Sequence, residues 1–151
     1  MQCFVQTHLN ARAEAVWQAV KKPQTLLYVT RGFLGFSNSE HFPSEWNLGQ
    51  KLETRLWFFH ILPGWKHTLT VAEVNDSEKL IRSHEYGGFY TWDHTIRVMD
   101  DSSTCGYSDE IEIHAGVLTL FIWLFANVFY RYRQMRWRKL ARSLNQPVRN
   151  I

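Results

Sequence analysis

A chain of 151 residues has room for one domain with its own core, residues 1–151, and not for two. Apolar residues at 45% and charged residues at 21% exclude a disordered or low-complexity chain. The net charge of +3 hides an asymmetry: residues 1–115 carry 10 basic and 14 acidic side chains, residues 116–151 seven basic and none acidic, so the basic excess belongs to one element and argues against a nucleic-acid partner.

Cys3 to Leu9 reads as a strand whose apolar side is Cys3, Val5, Thr7 and Leu9. Asn10 is placed to cap a short helix carrying Ala13, Val16, Trp17 and Val20 at helical spacing. Pro23 ends that helix and opens a second through Leu26, Leu27 and Val29. A loop runs from Gly32 to about Leu48. Then come Leu52–Phe59, Trp65–Val74, Leu80–Tyr86, Tyr90–Met99 and Cys105–His114, each an alternating run bounded by turn residues. Turns at such short intervals indicate an antiparallel meander. Gly87-Gly88 can turn through positive φ without steric cost. From Gly116 to about Leu144 nothing interrupts a helix, a rod of roughly 42 Å ended by Asn145-Gln146-Pro147. The fold class is therefore α+β: a curved antiparallel sheet of six or seven strands, two short helices, and one long C-terminal helix that alone can cover the sheet's apolar face.

The segment Gly87-Gly88-Phe89-Tyr90-Thr91-Trp92-Asp93-His94, then Asp109-Glu110-Ile111-Glu112 and the terminal helix, resembles the START-like superfamily, the polyketide cyclase and lipid-transfer group also called SRPBCC. It is similar to that group's Gly-Pro-Phe, Trp-x-His strand followed by a Thr-x-x-x-Asp strand. Gly88 stands where Pro is frequent, and Thr104 and Asp109 are one residue further apart. The resemblance spans nearly the whole chain and implies a helix-grip fold enclosing a pocket for an apolar or amphipathic small molecule. It implies no single activity, because one scaffold hosts binders, carriers and enzymes.

Register follows from the alternation. On Tyr90–Met99 the apolar set is Tyr90, Trp92, Ile96 and Val98, with His94 among them. On Cys105–His114 it is Cys105, Tyr107, Ile111 and Ile113, with Asp109 among them. A slip of one residue would bury Ser108, Glu110 and Glu112. A two-residue loop at Asp101-Ser102 sets His94 opposite Asp109. A three-residue loop at Gly87–Phe89 turns Leu80, Arg82, His84 and Tyr86 inward and sets Arg82 opposite His94. Arg82, His94 and Asp109 then form one polar row. Three readings are open for it: a structural ion network, the polar end of a ligand pocket, or an acid/base pair of His94 oriented by Asp109. The expected ligand-binding set is Arg82, His84, Tyr86, Trp92, His94, Tyr107, Asp109, His67 and Phe125.

No His-x-His or Cys-x-x-Cys spacing indicates a metal, and no glycine pattern indicates a nucleotide, so no cofactor is expected. Cys3 and Cys105 fit no metal or redox spacing, and Met1-Gln2-Cys3-Phe4 does not open like a secretory signal; free thiols in the cytoplasm are expected. Val117–Tyr130 is apolar on nearly every side yet too short to span a bilayer. An inward stripe of Leu118, Ile122, Phe125, Phe129 and Tyr132 leaves Leu120, Trp123, Leu124 and Val128 to be covered by the short helices and loop, a homodimer interface or a membrane surface. Arg131, Arg133, Arg136, Arg138, Lys139 and Arg142 follow as a solvated basic face or a contact for anionic lipid headgroups.

Overall fold

A computed structural model describes residues 1–145; the Gln146-Pro147 stop expected after the long helix lies outside them. The elements are β1 (Gln2–Leu9), α1 (Ala13–Val20), α2 (Pro23–Thr30), β2 (Leu34–Phe36), β3 (Lys51–Phe58), β4 (Leu62–Asn75), β5 (Leu80–Gly87), β6 (Tyr90–Asp101), β7 (Thr104–His114) and α3 (Thr119–Leu144). The strands form one antiparallel sheet in the order β1-β7-β6-β5-β4-β3-β2. The chain doubles back from strand to strand, except that β1 adds beside β7. This is a helix-grip α+β fold with seven strands.

Alternation in β1 is realised as expected: Cys3, Val5, Thr7 and Leu9 are buried and their neighbours exposed. The loop after α2 contributes β2, which pairs with β3. The same loop sends the Trp46 side chain into the core, and its backbone N–H donates to the Lys21 carbonyl at 2.8 Å. Pro23 stands in the first turn of α2, where its missing N–H costs nothing. Asn10 does not cap α1; Arg12 holds the cap position without a side-chain bond, and the Asn10 carbonyl instead accepts from Asn145 at the far end of α3.

Irregularities in pairing lie between Arg55 and Trp57 on β3 and between Val71 and Glu73 on β4. Such bulges bend and twist a strand, which lets this sheet curl around α3. Anchors tie α3 at several levels: Trp123 to the Gln2 carbonyl, Arg138 to Thr7 Oγ1, and Tyr132 and Arg136 to carbonyls of Arg31 and Tyr28. Two apolar clusters result. One joins α1 and the far end of α3 through Trp17, Val20, Val71, Ile81 and Trp137. The other joins β6, β7 and the middle of α3 through Trp92, Ile111, Ile113, Ala126 and Phe129.

Two turns differ from the sequence reading. Between β6 and β7 the turn is Ser102-Ser103, since Asp101 pairs with Thr104. His94 therefore faces Ile111 across the ladder, and Asp109 faces Ile96. This is a shift of two residues and leaves every side chain on its expected face. Between β5 and β6 the turn is Gly88-Phe89, with Gly87 paired to Tyr90. That is one residue shorter than expected, and it reverses β5: Ile81, Ser83 and Glu85 turn inward, whereas Arg82, His84 and Tyr86 turn to solvent. Neither glycine takes positive φ. Gly87 is needed for a different reason, because a Cβ there would collide with the Tyr90 ring.

Candidate functional site

Between the two apolar clusters lies a cavity of about 340 Å³. Its walls come from α2, β2 through β6 and α3, and are mostly aromatic and aliphatic: Trp46, Phe58, Trp65, Trp92, Phe125 and Trp137 are among them. Of the residues that line it, Trp65, near the β3–β4 turn, and Phe121, in the first turn of α3, are exposed at the surface.

One wall carries a chain of buried polar side chains. Tyr90 Oη lies 2.7 Å from His67 Nδ1, and His67 Nε2 lies 2.9 Å from Glu85 Oε2. Ser83 donates to Glu85 Oε1 at 2.7 Å, and His94 Nδ1 lies 3.8 Å from the same oxygen. His94 Nε2 lies 2.9 Å from Asp109 Oδ1, which also accepts from Tyr107 at 3.0 Å and stands 3.7 Å from Arg133. With Tyr90 donating to Nδ1, His67 keeps its proton on Nε2 and donates it to Glu85, which satisfies every atom of that arm.

The network is its own counter-charge. Burial alone would push the Glu85 carboxyl up, but His67 and His94 outweigh it and hold Glu85 below the usual carboxylate range. Burial would likewise push His94 down, but Asp109 and Glu85 hold it above the ordinary imidazole value. Arg133 is stabilised in the same way: burial opposes its charge, and Asp109 more than restores it. Burial pushes the Tyr90 phenol up to about 12, so it stays protonated. Two carboxylates, Glu85 and Asp109, thus face His67, His94 and Arg133.

Of the residues expected at the site, Trp92, His94, His67 and Phe125 line the cavity. Tyr107 and Asp109 lie on the expected face but behind the wall; Tyr107 packs on Trp137 and Asp109 is fully buried. Arg82, His84 and Tyr86 are on the opposite face, for the reason of turn length given above. There Arg82 pairs with Glu73 at 3.1 Å and His84 with Asp93 at 2.6 Å. The polar row accordingly contains no Arg82. Its arginine is Arg133, expected on the solvated face but only 4% exposed, and its second carboxylate is Glu85. A signal for Arg133 does exist: Ala126, Tyr130, Arg133, Trp137 and Ala141 recur at helical spacing and are the stripe that α3 buries. Of the stripe expected from Leu118 to Tyr132, Ile122, Phe125 and Phe129 do face the cavity, while Leu118 is exposed and Tyr132 only partly buried.

The basic end of α3 is partly consumed within the fold, with Arg133, Arg136 and Arg138 contacting Asp109, Tyr28 and Thr7. At the other end Val117, Leu120, Phe121, Leu124 and Val128 stay exposed; the short helices and loop do not cover them. Among the described residues no helix is long and apolar enough to cross a membrane. Nor does any group of three or more His, Cys, Asp or Glu side chains among them converge as metal ligands would. Cys3 and Cys105 are buried, unlinked thiols.

No protein-family model matches this sequence, and no curated protein matches it significantly. Solved structures do. Protein CV1439 from Chromobacterium violaceum superposes with a TM-score of 0.74 at 14% identity, over 93% of this chain and 96% of that one. Norcoclaurine synthase from Thalictrum flavum, in complex with dopamine and hydroxybenzaldehyde, gives 0.67 at 14% identity, over 97% and 89%. A START superfamily protein from Mycobacterium smegmatis gives 0.66 at 9% identity, over 95% and 99%. The chain has the START-like helix-grip fold.

Proposed function

We propose that this protein binds and carries an apolar or amphipathic small molecule, with the ligand's ring or chain among the cavity aromatics and its polar end toward His94, Glu85 and Arg133. One observation carries this reading: a cavity of about 340 Å³, within the range of small-molecule sites, whose buried ionic network lies against one wall. A well-packed core has little use for Arg, His and Glu at its centre. The norcoclaurine synthase complex, with two small aromatic molecules, lends support as an example of what this fold accommodates. A ligand burying ~300 Å² of apolar surface gains a gross ~7.5 kcal/mol at ~25 cal/mol/Å². After association costs, roughly micromolar affinity is expected.

The test is titration with polycyclic aromatics and long-chain fatty acids. Trp65 and Trp92 line the cavity, so their fluorescence should change saturably and the ligand should be recovered unchanged. Absence of saturable binding by any such probe overturns the reading. The exposed apolar residues where α3 begins support exchange of the ligand at a lipid surface. Co-sedimentation with neutral as well as anionic vesicles checks this, and concentration-dependent dimerisation without vesicle binding would assign that surface to a second copy.

A second reading, an enzyme of cyclase/dehydratase type, is favoured by the 2.9 Å contact of His94 with Asp109 at the cavity wall. Both ring nitrogens face carboxylates, which hold the imidazole above its ordinary value against the effect of burial, and that suits His94 to donate a proton. Conversion of a bound ligand, lost in His94→Asn, would favour this reading over the carrier.

A further inference from the structure

The exposed large hydrophobic side chains gather at one end of the molecule. Val117, Leu120, Phe121 and Leu124 stand out from the start of α3, and Phe59, Ile61 and Leu62 from the β3–β4 turn. Phe89, in the β5–β6 turn, joins them. β4 begins at this end of the sheet and β5 and β7 finish there, so both turns and the start of α3 are neighbours. Ring contacts link them: Phe89 packs on Trp65, Trp65 on Phe58, and Phe58 on Phe125 of α3. Single exposed apolar residues are ordinary, but a contiguous group marks a surface that meets something apolar.

Charge distinguishes the partner. All 14 acidic side chains lie outside these segments: residues 54–72, 86–92 and 113–151 contain none. The exposed face of α3 runs on at three- and four-residue spacing from Leu124 and Val128 into Arg131, Met135, Lys139 and Arg142. One helix face is thus apolar in its first half and mainly basic in its second. A second copy of this chain would not match it, because a two-fold contact sets the same carboxylate-free segments against each other. An anionic bilayer matches both halves, with acyl chains for the apolar turns and headgroups for the basic side chains.

We infer that the exposed face of α3 and the two turn tips form one docking surface for an anionic lipid bilayer, with the start of α3 in the acyl region and its basic half against the headgroups. Trp65 and Phe121 belong to this surface and to the cavity wall, so docking brings the wall to the lipid. Such docking serves delivery of a ligand, and in that respect it rests on the carrier reading above.

The test uses protein without added ligand and two kinds of vesicle, phosphatidylcholine alone and equimolar phosphatidylcholine and phosphatidylserine. The mixed vesicles should bind the protein more tightly. Arg131→Gln, Lys139→Gln and Arg142→Gln combined should weaken that binding roughly a hundredfold, at about fivefold for each charge, and added salt should weaken it too. Leu120→Ser with Leu124→Ser should weaken binding to both kinds roughly tenfold or more, with the circular dichroism spectrum unchanged. Cys3 and Cys105 are buried, so a spin label will go to a new surface thiol. Labels on Leu62→Cys and Leu124→Cys should sit in the acyl region and a label on Arg142→Cys at headgroup level. If the folded protein binds neither vesicle, or the labels at 62 and 124 stay in water, the docking surface is overturned. Saturable binding of aromatics or fatty acids without vesicles would then leave the carrier reading standing. Equal affinity for both vesicles, unchanged by the charge substitutions, overturns the anionic assignment. Self-association that is lost in the Leu120→Ser, Leu124→Ser variant, with no vesicle binding, gives the surface to a second copy instead.

Discussion

The two faces of the central sheet carry the same chemical pair in different surroundings. On the convex face His84 meets Asp93 at 2.6 Å, with side chains 61% and 44% exposed. On the concave face His94 meets Asp109 at 2.9 Å, with side chains 7% and 0% exposed. By distance the outer pair is the closer. Energetically the inner one dominates, because water screens the first and is excluded from the second. A contact distance alone does not rank ion pairs; burial and the number of further partners do. His94 and Asp109 also connect to Glu85, Tyr107 and Arg133, so removing one member leaves several others unsatisfied.

That contrast can be broken in graded ways. Asp109→Ala should cost most, roughly 3–5 kcal/mol in denaturant titration, since it strands Arg133 and His94 without a carboxylate between them. His94→Asn should cost less, roughly 1–3 kcal/mol, because Arg133 still balances Asp109 and an amide can occupy part of the gap. A loss for His94→Asn equal to that for Asp109→Ala would mean that Arg133 does not compensate.

The pH dependence of stability sharpens the same comparison. His94 is held above its ordinary value of 6.5 in the fold, against the effect of burial, by Asp109 and Glu85. Its contribution is therefore complete below pH 6.5 and is lost as pH rises through the higher folded value. Glu85 is displaced the opposite way: burial would raise it, His67 and His94 lower it from 4.5, and its contribution is present above 4.5 and lost on acidification below that. Stability should therefore peak between these limits and decline on the alkaline side, and His94→Asn should flatten the alkaline decline. A wild-type midpoint that holds steady from pH 6 to 9 would contradict the assignment.

The smallest effect belongs to the convex face. Asp93→Ala and His84→Ala should each change stability by no more than about 0.5 kcal/mol, with the difference from wild type shrinking further in salt. A cost comparable to that of Asp109→Ala would show that the outer pair, too, is shielded from water.

Much of this molecule follows from the sequence by itself. The antiparallel meander, the two short helices and the long final helix are written in periodicity and in the placing of Pro and Gly. The faces of β1, β6 and β7 are legible because one side of each strand is clearly more apolar, and a two-residue error at the Ser102-Ser103 turn could not reverse them. His94 and Asp109 meet for that reason, although neither is the other's direct ladder partner. Strand β5 was open to either assignment because both of its sides mix apolar and polar residues: Leu80, Arg82, His84 and Tyr86 against Ile81, Ser83 and Glu85. Its facing then depended on one residue of turn length, which the collision of any Cβ at Gly87 with the Tyr90 ring helps to select. Arg133 was similarly undetermined, since a cluster of arginines reads as a solvated face until the sheet curls around one stripe of the helix. Those choices, and the opening of a cavity among large aromatics that could equally have filled it, were made by tertiary packing, because they depend on distances between elements far apart in the chain and not on the local pattern of any one of them.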